Sequence, residues 1–154
     1  MDGEDRGVCG VAVSTPLYVQ LRPDGDMPSV TGLAPFRAVV IVDAIVTPQW
    51  QRAVSESLVR SGCLWMIAWG IDSSSWDDSV DCANLGAFDY REIPDETFVM
   101  TSWHHDKPLS EAFDFCKRCA EHPTVALATT VLLHISLENR EQEICRLFSE
   151  AGAS

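Results

Sequence analysis

A chain of 154 residues, 46% apolar and 22% charged, is long enough to bury its own core and has the composition of a folded domain, which sets aside disorder throughout. Its formal charge of −12 sets 23 acidic side chains against 11 basic ones. Such a surface repels phosphate backbones and anionic headgroups, so neither nucleic acid nor a membrane is the expected partner.

The acidic stretch Met1–Gly7 lacks the basic-then-apolar order of an export signal. A cytoplasmic location follows as the expectation, and with it six reduced cysteines: Cys9, Cys63, Cys82, Cys116, Cys119 and Cys145. The longest apolar run, Ala38 to Val46, is interrupted by Asp43 and falls well short of the ~20 residues that span a bilayer.

Residues 1–35 read as an irregular segment, punctuated by Pro16, Pro23, Pro28 and Pro35 with Gly25 and Gly32. Within it, the alternation at 16–21 predicts an edge strand. From residue 36 to 154 the pattern is that of a single α/β domain. A β-branched run over 38–45 predicts a strand buried on both faces. Thr47 as N-cap and Pro48 at the first helical position then open a helix with the stripe Trp50, Ala53, Val54, Ser57 and Leu58, closed by Gly62.

Cys63 to Trp69 predicts a second buried strand, with Trp50 and Trp65 as core residues. Ser75 and Asp78 have capping-box spacing and predict a short helix from there to Leu85, with Asp77 and Asp78 in its first turn and Gly86 as its stop. A third strand is expected over 98–103, then a helix from Pro108 with the stripe Leu109, Ala112, Phe113, Cys116 and Ala120. A fourth strand over 130–135 and a helix carrying Ile144, Leu147, Phe148 and Ala151 complete the chain. The alternation implies a Rossmann-like, three-layer open sheet of about four parallel strands with helices on both faces. By analogy with doubly wound sheets, those four strands are expected in the order 2-1-3-4.

In such sheets ligands bind beyond the carboxyl ends of the strands. Asp43, Asp72, His104, His105 and Asp106 fall there, with Trp69 and Trp103 as walls, and so form a candidate crevice. Imidazoles beside a carboxylate suit acid–base work, but adjacent residues leaving a strand point in different directions, so one histidine capping a helix and the other facing solvent is the plainer account. Asp43 at the end of a buried strand must face a cleft, pair with an arginine or bond loop amides. His134 reads as a hydrogen-bonded core histidine.

Cys116-Lys-Arg-Cys119 has C-x-x-C spacing but lies deep in a helix and lacks a second ligand pair, so it implies structural filler, with no metal and no cofactor. Phosphate-loop, dinucleotide and nucleophile-elbow motifs do not occur. From Asp72 to Glu96 there are eight acids and one base, Arg91. This stretch is either a solvated face or a docking face for a basic protein, with Trp76, Asp77, Asp78 and Asp81 as docking candidates.

The blocks Cys63-Leu-Trp-Met-Ile-Ala-Trp-Gly, Ser74-Ser-Trp-Asp-Asp-Ser-Val-Asp, Phe98-Val-Met-Thr-Ser-Trp-His and Leu133-His-Ile-Ser carry a resemblance. Over roughly residues 36 to 148 the chain resembles a family of short, uncharacterised bacterial proteins, a domain of unknown function. The resemblance implies a bacterial source and brings no activity. The expected function is therefore a small acidic, non-catalytic interaction protein, immunity-like or accessory, that binds a protein partner, with self-association an alternative. A small-ligand-binding or hydrolytic enzyme using the strand-end crevice is the rival expectation.

Overall fold

The computed structural model describes residues 15–152. Its elements in chain order are β1 (Leu17–Leu21), β2 (Phe36–Val42), α1 (Pro48–Arg60), β3 (Cys63–Gly70), α2 (Ser73–Ala87), β4 (Met100–His104), α3 (Leu109–Cys119), β5 (Thr129–Ile135) and α4 (Glu141–Glu150). Every strand pairing is parallel, in the order β1-β5-β2-β3-β4. No helix is long and apolar enough to cross a membrane among the described residues.

All seven residues of β2 are buried, because helices cover both of its faces. Ala38, Val40 and Val42 pack with Val54 and Leu58 of α1 and with Trp76 and Val80 of α2. Val39 and Ile41 face the opposite way, into Phe113 and Cys116 of α3 and Ile144 and Phe148 of α4. This period-two division produces the three layers.

Arg37 is the polar exception on β2. It is buried, and its Nε donates to Thr130 Oγ1 at 3.0 Å while Nη1 donates to the Ala120 carbonyl at 2.9 Å. Ala120 is the C-cap of α3, where carbonyls lack intrahelical donors and a cation is favoured.

The strand order differs from the expected one. In the four-strand numbering used above it is 4-1-2-3, with the extra strand β1 beside the fourth. Handedness fixes which face a crossover takes once its direction is chosen, but leaves the direction open. The chain steps from β2 through β3 to β4 with α1 and α2 on one face. It then returns across the other face through α3 to the far side of β2.

Boundaries moved as well. α1 has the expected cap, with Trp50 N donating to Thr47 Oγ1 at 3.2 Å, and Gly62 follows at φ 100. On α1, Ala53 is exposed and Ser55 is buried in its place. α2 starts two residues before Ser75, with Asp72 as its N-cap residue at φ 54. The Ser75 hydroxyl donates back to the Asp72 carbonyl at 2.7 Å instead of closing a capping box. Asp77 and Asp78 consequently sit beyond the first turn, and Gly86 is helical rather than a stop. Gly70, at φ 104, ends β3 where any side chain would collide with the Val42 carbonyl.

Trp76 is fully buried, edge-on to Trp50 at 6.5 Å between ring centres, so it is a core residue and not a docking one. Its place on α2, three residues after Ser73, turns it toward the sheet together with Val80. Trp76→Ala is expected to cost about 3–5 kcal/mol of stability in urea denaturation, the range for a large buried aromatic. A loss below ~1 kcal/mol, typical of a surface site, would return Trp76 to the surface.

Candidate functional site

The connections reverse direction between β2 and β5, and that switch point is occupied by a polar network. Asp43 follows β2, and its backbone N–H donates to the Ile135 carbonyl at 2.9 Å, which holds the carboxylate at the end of β5. Asp43 Oδ2 lies 2.6 Å from His134 Nε2 and 2.8 Å from Arg140 Nη2. His134 Nδ1 lies 2.6 Å from the Tyr18 hydroxyl on β1, and that oxygen accepts the Arg140 backbone N–H at 3.1 Å.

The hydrogen bond from His134 outweighs partial burial and, with Arg140, holds the Asp43 carboxyl below its ordinary range. An ionised Asp43 can only accept, so His134 Nε2 carries the proton it donates. In the neutral imidazole, Nδ1 then accepts from Tyr18. Burial raises the Tyr18 phenol above its ordinary value, against the opposing effect of Arg140. His134 is fully buried with both ring nitrogens engaged, and the Arg140 guanidinium lies against Asp43. The network thus ties β1, β5, the end of β2 and the start of α4 together.

The remaining crevice candidates lie elsewhere. Asp72 borders a cavity of about 320 Å³ with Val42, Gln51, Ser75 and Trp76, beyond the ends of β2 and β3. Trp69 pairs in register with His104, and its indole N–H donates to the Lys107 carbonyl at 2.6 Å. His104 packs on Phe115 at 5.0 Å, and burial lowers its pKa below the usual imidazole value. His105 is exposed, 3.2 Å from Asp106, and its ring centre lies 6.3 Å from that of Trp103. The two histidines therefore diverge, one onto α3 and one into solvent. Asp43 belongs to His134 and Arg140, away from both.

A second polar cluster lies where α2 overhangs β4. Asp77 and Asp81 are one helical turn apart, and the Thr101 hydroxyl, with its one proton to donate, lies 2.9 Å from Asp81 Oδ1 and 3.3 Å from Asp77 Oδ1. Burial, then the neighbouring Asp81 charge, pushes the Asp77 carboxyl up to about 6. No arginine or lysine among the described residues bonds to either carboxylate. Asp78, between them in sequence, is exposed.

Two residues overlooked in the sequence anchor the start of β4. Asn84 is buried and grips the backbone twice, accepting from Val99 N at 2.9 Å and donating to the Thr97 carbonyl at 3.1 Å. His122 Nε2 reaches the Phe98 carbonyl at 2.7 Å, while Nδ1 accepts from the N–H groups of Thr124 and Val125, each at 3.2 Å. A lone Asn in a helix and a lone His in a loop carry no motif, so only the fold reveals their work.

The five described cysteines are free, and Cys9 lies outside the described residues. Burial pushes the Cys63 thiol up to about 12 and the Cys116 thiol up to about 11, which makes both poor nucleophiles. Among the described residues no group of three or more histidine, cysteine or acidic side chains is arranged to hold a metal ion.

The raised Asp77 carboxyl has a thermodynamic consequence. Its folded value of about 6 lies above the ordinary carboxylate value of 3.8, so between the two the native state holds more protons than the unfolded chain. Stability at this position therefore falls as pH rises from about 4 to 6 and stays lower above. Asp77→Asn removes that dependence. The variant is expected to match the wild type below about pH 4 and to exceed it at pH 7. Parallel melts across that range check this, and a constant offset between the two proteins would contradict it.

No curated protein and no solved structure matches the chain. A family model described as a domain of unknown function, DUF7684, matches residues 16–151. That span runs from β1 through α4 and takes in both polar clusters. This chain belongs to the DUF7684 family of domains of unknown function.

Proposed function

We propose that this protein is a small, acidic, non-catalytic interaction protein that binds a basic protein partner, as immunity or accessory proteins do. The observation that carries this reading is the un-neutralised carboxylate face of α2. Asp77 and Asp81 converge on Thr101 with no basic side chain among the described residues to offset them. Holding two carboxylates together costs stability, and an incoming cation relieves that cost. The net charge of −12 extends the attraction and disfavours nucleic acid as the partner. Free thiols support a reducing, cytoplasmic setting, and the resemblance noted in the sequence supports a bacterial one.

The test begins with a basic partner captured from the native host. Replacing Asp77, Asp78 and Asp81 together by lysine is expected to slow association by about tenfold or more and to flatten its salt dependence. The fold should survive, since Asp78 is exposed and the other two are only partly buried. Association kinetics that do not change would reduce this face to a solubility feature.

A second reading, a small-ligand or hydrolytic site at the strand ends, is favoured by the Tyr18–His134–Asp43 series at the switch point. Under it, native mass spectrometry of protein from its host finds a small molecule that is lost in Asp43→Asn. Wild-type protein that carries no bound species would leave the interaction reading alone.

A further inference from the structure

We infer that the outer edge of β4 takes up an extended segment of the basic partner as an added parallel or antiparallel strand, with Trp103 as its apolar anchor. The inference rests on the interaction reading above and specifies how that partner docks. β4 is the last strand of the sheet and pairs with β3 alone among the described residues. Half of the backbone N–H and C=O groups of such a strand point away from its neighbour and offer hydrogen bonds to a newcomer.

This edge is held rigid at both ends. Asn84 and His122 grip the backbone at 97–99. At the other end, the Ser73 hydroxyl donates to the His104 carbonyl at 3.4 Å and the Trp69 indole donates to the Lys107 carbonyl. A pre-ordered edge spares the partner part of the entropy lost on docking. Large apolar side chains stand at the same edge, with Phe98 44% and Trp103 48% exposed. An aromatic on an accessible strand supplies the side-chain contact that accompanies main-chain pairing in strand addition.

Charge decides the occupant. A second copy laid against β4 would bring a second set of Asp77, Asp81 and Asp106 carboxylates against the first. Like charges so placed oppose self-pairing, as edge charges do in natural sheets. A strand carrying lysine or arginine meets those same carboxylates favourably.

The test uses a seven-residue peptide of alternating lysine and valine, capped at both ends, and the same peptide N-methylated at alternate residues. The second retains every side chain and charge but cannot form a full ladder. Calorimetry and amide hydrogen exchange are read on the whole protein. The unmodified peptide is expected to bind and to slow exchange within residues 100–104, whereas N-methylation weakens it at least tenfold. Trp103→Ala, a change at an exposed side chain, is expected to weaken it about tenfold.

Equal affinity for the two peptides, with both lost on reversing Asp77 and Asp81 to lysine, would overturn strand addition while sparing the interaction reading. N-methylation that abolishes binding, with charge reversal leaving it untouched, would uphold the strand site and overturn the electrostatic choice of partner. Failure of both peptides to bind would overturn the inference. So would a concentration-dependent dimer in sedimentation that Trp103→Ala abolishes, since the edge would then belong to a second copy.

Discussion

A strand buried on both faces leaves its neighbours little freedom, and β2 is such a strand. Its alternate residues need an apolar partner on each side, so one helix pair must lie above it and another below. Its backbone groups need strands on both edges, and β3 and β5 supply them. The chain meets both demands by sending three crossovers, β1 to β2, β2 to β3 and β3 to β4, one way and the β4-to-β5 crossover back. The reversal between β2 and β5 is a consequence of burying Phe36–Val42.

That reversal leaves a gap at the carboxyl ends of β2 and β5, where the loops part in opposite directions. In this protein the gap is filled by the protein's own groups. Asp43, His134, Tyr18 and Arg140 satisfy one another, and the Asp43 amide is fixed to Ile135. A buried imidazole left half-satisfied would be costly, so each partner has a structural reason to be present. Locked charge and engaged lone pairs make this arrangement a better clasp than a reaction centre. This is why the interaction reading stands ahead of the enzymatic one.

The opposite margin of the sheet is built differently. β4 is the edge opposite β1, with β3, β2 and β5 between them; Trp103 on it is exposed, and the Asp77 and Asp81 carboxylates of α2 meet its Thr101. It is fixed from the helix side by Asn84 and from the loop side by His122, so an ordered edge exists without a further strand. The clasped switch point and the open acidic margin stand at different parts of the sheet, one satisfied by the protein's own groups and the other carrying the proposed docking edge.

The layers, the parallel strands and the helix cores were legible in the sequence, because periodicity is a local property. The run at 38–42, the cap Thr47-Pro48 and the apolar positions Val54, Leu58, Phe113, Ile144 and Phe148 announce their faces within one or two turns. The fate of Asp43 was legible only as a short set of outcomes, and its pairing with Arg140 depends on bringing together residues 97 positions apart. Strand order was not written locally, since crossover handedness leaves direction free. Trp76 reads as exposed or buried according to where α2 begins, and a start three residues earlier than the capping-box spacing implied put it in the core. The convergence of Asp77 and Asp81 on Thr101, and the grip of Asn84 and His122 on β4, are contacts between elements. They came into being only when α2 was laid across β3 and β4, because no pattern within a single element encodes its neighbour.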